Sequence, residues 1–389
     1  MVQFDNTEIA FKHKSTTELK KAQFLFGVLA SKPLVDIGKG LTNLAFALHL
    51  PIKPIIKATL FKQFVGGESI EECDKTAETL AKFGIGTILD YSVEGKSDEA
   101  SFDAATEEIL KTVERAHQKP YIPFAVFKVT GLCKFEILEK VNFNKPLSPE
   151  EQIAWEKAQA RVDKICGLAY QYKCKVLIDA EETWIQETID RLAEQMMKKY
   201  NREEAIIYNT TQMYRHDRLA YIKAQYEIAV KEGYKLGLKI VRGAYMEKER
   251  EYAAEHGLVD PIQPNKEASD RDFNAAVQFA IEHLDHMAIC AGTHNEESCQ
   301  RLVQLIEKHN IAHNDKRVYF AQLLGMSDNL SFNLSNAGFN VAKYVPYGPV
   351  SELMPYLFRR AEENTSVKGQ TSRELSLIQK EIKRRKGKK

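Results

Sequence analysis

Tyr356, Arg359, Arg360 and Glu363 in the stretch YLFRRAEEN stand three and four residues apart. On a helix of 3.6 residues per turn those steps gather them into a wedge of roughly 100°. The Leu, Phe, Ala and Glu of the stretch are compatible with that helix. Two adjacent guanidiniums on one face can grip a planar anion through paired N–H donors, and a carboxylate fits that geometry. Glu363, one turn beyond both arginines, is within pairing reach of each. The same pattern also serves a solvated charged face, so the elements carrying the other polar groups must decide.

Composition sets the frame for those elements. The chain has 389 residues, 44% hydrophobic and 28% charged, which are the proportions of a globular protein. A net charge of +1 supplies no global field for nucleic acid or an acidic membrane. The six cysteines, Cys73, Cys133, Cys166, Cys174, Cys290 and Cys299, form no CxxC pair, so reduced thiols are expected. The opening MVQFDNTEIAFKHKSTTELKKAQ reads as neither a secretory signal nor a transit peptide, and LTNLAFALHLPI is too interrupted to span a bilayer. The expected location is cytoplasmic, with peripheral contact at the inner face of a membrane.

Residues 16–83 carry helical periodicity, opening at a capping Ser/Thr and, in a later segment, running from Ser69 to Gly84. The period then changes. Eight apolar segments follow: GTILDYSVE, YIPFAVFKVTGL, CKVLIDAEE, AIIYNTTQMY, LGLKIVRGAY, MAICAGTHN, RVYFAQLLGM and NVAKYVPYGP, nearly all separated by helical stretches. Strands alternating with helices imply a parallel sheet, and near-continuous apolar strands imply burial on both faces. Eight such units predict an α/β fold, a (β/α)8 barrel. An open doubly wound sheet is the alternative, weakened because no GxGxxG follows the first strand. The predicted divisions are a helical N-terminal arm over 1–84, the catalytic barrel over 85–366 with its last helix over the barrel mouth, and a basic tail over 367–389. SPEE predicts a helix start with Pro149 at the first helical position.

A barrel of this kind places its active site at the C-terminal ends of the strands. Those ends here carry Asp90 and Glu94, Lys128, Asp179 and Glu181, Gln212 and Tyr214, Lys239 and Arg242, Thr293 and His294, and Tyr344. Repeated around one ring, they make a polar pocket over an apolar core. His283, His286 and His294 come without an HExxH or a paired carboxylate, so no metal site is expected. Taken singly, Lys128 reads as a rim lysine and Asp179 with Glu181 as a rim ion-pair group.

The segments KIVRGAY, DAEE, AGTHN, QLLGM, YVPYG and YLFRRAEEN, in that combination, resemble the proline dehydrogenase family, with the likeness running from about Gly86 to Ser366. The wording of YFAQLLGM and KYVPYGPV is similar to the mitochondrial-type, monofunctional enzyme. The resemblance implies an FAD-dependent barrel that oxidises L-proline to 1-pyrroline-5-carboxylate and passes electrons to a membrane quinone. It implies that Arg359, Arg360 and Lys128 hold the substrate carboxylate while Tyr344 and Tyr356 wall the ring. Glu94 is implied as a gate on Arg359, and Glu363, by its spacing from both arginines, is read as a second gating carboxylate. Asp179 and Lys239 fall at the catalytic positions beside the flavin ring. Ile178, Gln212, Arg242, Gly243, Ala244, Tyr245, Thr293 and His294 fall at its binding positions. Many bacterial members carry Arg where this chain has Lys239, and Lys is a point charge where Arg is a fork.

The chemistry so implied needs a neutral ring nitrogen whose lone pair pushes hydride from C5, held about 3–3.5 Å from its acceptor. No general base is assigned. Two other readings stay open at this point: a hydroxyproline dehydrogenase, opposed by the bulk of Tyr344, and a catalytically silent barrel docking through its basic tail. KEIKRRKGKK at the end carries seven basic residues in ten and reads as a disordered, solvated segment or as an anchor to anionic lipid.

Overall fold

The computed structural model describes residues 2–48, 50–92, 97–366 and 370–387, with side chains for all of these except residues 43, 46, 363–366 and 370–372. The eight apolar segments are eight strands: β1 Ile85–Tyr91, β2 Phe124–Phe127, β3 Lys175–Ile178, β4 Ile207–Gln212, β5 Leu236–Val241, β6 Met287–Gly292, β7 Val318–Leu323 and β8 Val341–Tyr347. They close into a barrel in sequence order. The β1–β8 pairing is parallel and runs in register from Ile85 opposite Val341 to Tyr91 opposite Tyr347. Closure excludes the open sheet. All residues of β2, β4 and β8 are buried, as strands covered on both faces must be.

The local signals explain where helices start. Ser15 caps Thr16–Leu29 and Ser148 caps Pro149–Gln171, each in a reciprocal capping box with the glutamate three residues on. Ser69 caps Ile70–Ala81. Within β5, Gly237 is required by close approach, since a Cβ there would lie 2.4 Å from the Ile207 carbonyl oxygen.

By its internal contacts the chain divides into two compact units, residues 94–321 and residues 2–93 with 322–389. In the first, aromatic rings fill the barrel floor: Phe124 meets Tyr208 and Tyr319 edge-on at 5.4 and 4.9 Å. Lys175 lies 5.0 Å over the Tyr319 ring, and burial lowers its ammonium pKa to about 8.

The second unit has its own apolar core, in which Phe11, Leu19, Phe26 and Phe64 of the N-terminal helices pack with Leu353, Leu357, Leu377 and Ile378. Beside it lies a buried knot of charge. Asp328 accepts from Lys14 at 2.7 Å and from Lys343 at 2.9 Å, with His13 at 3.5 Å. Burial opposes its ionisation, yet the two lysines and His13 hold its carboxyl well below the usual range. Glu374 accepts from the Ser327 N–H at 2.9 Å, and burial, reinforced by Asp328, pushes it up to about 7.

The end of the chain differs from the expected solvated tail. Gln370–Gly387 is a helix. Arg384 and Arg385 both pair with the buried Glu381, and Arg385 also donates to the carbonyls of Lys14 and Phe11. Lys380 pairs with Asp5. Charge density that looked like a reason for disorder is taken up by ion pairs within this helix and with the N-terminal segment.

Helix Lys32–Ala47 buries Val35 and Ala45 but leaves Leu34, Ile37, Leu41 and Leu44 exposed at steps of three and four, with Leu48 and Leu50 beyond its end. Lys20, Lys21, Lys32, Lys53 and Lys57 are exposed in the neighbouring sequence. No described helix is long and apolar enough to cross a membrane.

Candidate active site

Within residues 94–321 the polar groups at the strand ends assemble into two connected groups. The first centres on Lys239 of β5. Its ammonium lies 2.5 Å from the Asp179 carboxylate, which follows β3, with the two side chains 8% and 13% exposed. The Asp179 N–H is itself held by the Phe127 carbonyl at 2.9 Å. Ile178, fully buried, and Gln212, at the end of β4, flank this pair in the barrel. The Gln212 side-chain amide donates to the Glu181 carbonyl at 2.8 Å. Glu181 is buried, and its carboxylate accepts from both the N–H and the hydroxyl of Thr130, two residues past Lys128. Burial pushes the Glu181 carboxyl up to about 7, against the pull of Lys128 and of the Thr130 donors.

The second group centres on Arg242, just past β5. Its Nε donates to Asp270 at 2.6 Å, one terminal nitrogen to the Thr293 hydroxyl at 2.7 Å and the other to the Ser298 hydroxyl at 2.8 Å. The guanidinium also stacks 4.4 Å over Phe273. A planar fork so held has a fixed direction, and three of its five N–H donors are engaged by these contacts. Thr293 is buried and His294 half-buried beside it.

Gly243 follows with φ +130°, a conformation that L side chains rarely adopt, and a Cβ there would meet the Tyr214 ring at 2.6 Å. The Gly243–Ala244 backbone is thereby left exposed, ending at the half-buried Tyr245, which precedes helix Met246–Glu255. Tyr214 is locked from below: its N–H donates to the Arg242 carbonyl at 2.7 Å. Glu249, fully buried, takes the Thr183 N–H and hydroxyl at 2.9 and 2.5 Å, and burial raises its pKa.

In the other unit, Tyr344 on β8 is buried, and its carbonyl accepts from the Leu324 N–H at 2.8 Å. Helix Met354–Ser366 carries Tyr356 and Arg360, both buried, and the half-buried Arg359. The Arg360 guanidinium stacks 5.2 Å over the Tyr356 ring, a cation–π contact between one arginine of the expected clamp and the tyrosine expected to wall the ring. Lys39 pairs with Glu362 on the same helix and lies 5.4 Å over Phe358. Glu94 lies outside the described residues and the side chain of Glu363 outside the described side chains.

The structure therefore joins Lys239 to Asp179, Arg242 to Thr293 and Arg360 to Tyr356. Several partners were not foreseen: Thr130, Asp270, Ser298, and Glu249 with Thr183. Only Ser298 had a local signal, a hydroxyl in the first turn of the helix capped by Asn295.

Comparison with known proteins bears on what these groups do. The proline dehydrogenase family pattern matches residues 73–373. The chain is 36% identical to the carbapenem antibiotics biosynthesis protein CarD of Pectobacterium carotovorum subsp. carotovorum, over 83% of each chain. It is 34% identical to the mitochondrial proline dehydrogenase 1 of Dictyostelium discoideum, over 98% of this chain and 74% of that one. Among solved structures, proline utilization A from Bdellovibrio bacteriovorus superposes with a TM-score of 0.71 at 18% identity, covering 93% of this chain. The superposition spans only 37% of that longer chain, and the likeness is one of fold.

Proposed function

The chain belongs to the proline dehydrogenase family, and from that premise we propose that it is an FAD-dependent enzyme oxidising L-proline to 1-pyrroline-5-carboxylate, with electrons leaving to a membrane quinone. The observation that carries the reading is the buried Lys239–Asp179 pair beside the Arg242 fork, at the strand ends where barrels of this class work.

The donor set fits a flavin dinucleotide. Gly243 and Ala244 offer bare backbone that a planar ring can approach. Arg242 and Thr293 supply the cation and hydroxyl that ribityl or phosphate oxygens take, with His294 beside them. Ile178, Gln212 and Tyr245 supply an apolar wall, an amide and an aromatic ring to flank the ring system. When bound, FAD supplies the hydride acceptor at its N5 for the hydrogen on proline C5.

The chain's own residues bind and orient. Asp179 holds the Lys239 ammonium in place, so that a donor is directed before substrate arrives. Arg359, Arg360 and Lys128 neutralise the substrate carboxylate, which needs such donors once it leaves water. Tyr344 and Tyr356 wall the pyrrolidine ring and exclude water from it. The amine proton leaves to solvent before the chemical step. Glu94 and Glu363 exchange with the substrate carboxylate for the arginines.

Peripheral membrane contact is read at helix Lys32–Ala47. Its exposed Leu34, Ile37, Leu41 and Leu44, with lysines in the neighbouring sequence, have the make-up of a helix lying in an anionic interface.

Anaerobic addition of L-proline tests the activity: it should bleach the absorbance of the bound flavin. A protein that carries flavin and is not bleached by proline refutes the assignment. Bleaching by 4-hydroxyproline in preference to proline would transfer it to the sister reaction. Arg359→Met or Arg360→Met should keep flavin and raise KM, each losing a charge-assisted bond worth about 1.5–3 kcal/mol.

A further inference from the structure

Lys128 stands at the end of β2, immediately before the single turn Val129–Gly131. A turn of three residues has almost no stability of its own, because nucleating it fixes several dihedrals for one hydrogen bond. Only two short backbone bonds close it, Gly131 N–H to the Lys128 carbonyl at 3.2 Å and Leu132 N–H to that of Val129 at 2.9 Å. From outside, Arg161 holds the Leu132 carbonyl at 3.0 Å and Glu181 holds Thr130. Both carboxylate oxygens are used on Thr130, one by its N–H at 3.1 Å and the other by its hydroxyl.

Glu181 is in turn placed from both sides of its own backbone. Its N–H donates to the Gln186 side chain at 2.8 Å, and its carbonyl accepts from Gln212 at 2.8 Å. Gln186 is anchored on Asp190 at 2.8 Å. The residue is 4% exposed. A buried carboxylate is costly, and a turn could be pinned by a neutral amide. The acid is therefore doing more than filling space.

We infer that Glu181 is a positioning residue for Lys128: its carboxyl group fixes the Thr130 turn and so aims the lysine ammonium at the substrate carboxylate. The inference rests on the reading of Lys128 as a substrate-binding cation. It has a second consequence. Lys128, at the end of β2, and Glu182, next in the chain, are the charged groups acting on Glu181, and its carboxyl titrates near neutrality. Below about 7 a neutral Glu181 leaves the Lys128 charge undiminished, and above it the negative charge offsets that cation. Grip on an anion should therefore weaken as pH rises through that value.

The test is spectral titration of the flavin-loaded protein with tetrahydrofuran-2-carboxylate, an unreactive carboxylate, between pH 6 and 8.5. Thr130→Val should weaken the mimic by about tenfold, the loss of one hydrogen bond to a charged group, and Thr130→Ser should restore it. Glu181→Gln keeps a neutral acceptor for Thr130 and cannot ionise, so it should bind the mimic much as wild type does at pH 6 and lose the weakening as pH rises; a pH profile unchanged from wild type overturns the second consequence. With L-proline, Thr130→Val should raise KM and leave kcat unchanged, because a carboxylate grip is the same in ground and transition states. Wild-type affinity in Thr130→Val overturns the inference, even where Glu181→Gln does not fold. Lys128→Met serves as the control. If it binds the mimic as wild type does, the Lys128 assignment fails and this inference with it. A weakened Lys128→Met beside an unaffected Thr130→Val sinks the positioning role alone.

Discussion

Replacing Asp328 by Asn should be repaired, in part, by a second mutation that removes another charge. Asp328 is 4% exposed and sits between two cations, Lys343 at 2.9 Å and 1% exposed, and Lys14 at 2.7 Å and 18% exposed. Breaking a buried pair by removing one partner typically costs about 3–5 kcal/mol, because the other charge stays buried without compensation. Asp328→Asn strands two lysines at once and belongs at the upper end. Lys343→Met removes a cation but leaves Asp328 paired with Lys14, and Met fills the space of the stem, so it should cost less. The double variant strands only Lys14, whose side chain is the most exposed of the three. It should therefore be at least as stable as Asp328→Asn alone, with a coupling energy of about 1–3 kcal/mol between the sites. Glu374 adds a pH signature. Without Asp328 beside it, Glu374 loses one cause of its raised pKa and ionises more readily, so the cost of Asp328→Asn should shrink as pH rises. Urea unfolding of the four proteins at pH 6 and pH 8 measures the cycle. Costs that simply add would show that the lysines reach water or other anions, and that the knot is not a coupled unit.

Three other outcomes are expected. Burial holds Glu374 at about 7 in the folded chain, above its unfolded value of 4.5, so the stability contributed by its proton is complete below 4.5 and is lost as pH rises through 7. In Glu374→Gln the thermal midpoint should fall less between pH 5.5 and 8.5 than in wild type, and an unchanged profile would refute that account. Gly243→Ala combines a φ of +130° with a Cβ 2.6 Å from the Tyr214 ring, so it should lower the thermal midpoint and the flavin content together; Tyr214→Ala added to it should recover little, since the backbone strain remains. Leu41→Asp should abolish flotation with vesicles of phosphatidylserine and phosphatidylcholine while leaving proline turnover with a soluble dye intact, and continued flotation would move the membrane contact elsewhere.

The strands and the charged knot mark the two limits of what could be read from the chain. Each of the eight strands is legible because burial on both faces writes a local signature, a short run of apolar residues between capped helices. β2, FAVF, shows it best, with every residue apolar and buried. Helix starts are legible for the same reason, since Ser148 and Glu151 lie three residues apart. Polar partnerships carry no such signature. Lys14 and Asp328 are 314 positions apart, and Arg242 reaches Asp270 and Ser298 across 28 and 56. A lysine or aspartate has the same sequence signature whether it ends in water or in a buried pair. This explains the error at the C-terminus. Seven basic residues in ten read as repulsion and solvation, but repulsion holds only where no acid is supplied. Here Glu381, within the same segment, accepts from Arg384 and Arg385, and Asp5 from Lys380. Glu381 stands three and four residues before those arginines, the helical pairing interval, so the signal was present as a spacing and was hidden by the net charge. The same reasoning applies to Glu181. As one acid of DAEE it reads, with Asp179, as a rim carboxylate seeking a cation; Asp179 finds Lys239, while Glu181 turns to Thr130. Acids two residues apart at one strand end take different partners, and only the three-dimensional positions of β2 and β5 decide which acid serves which neighbour.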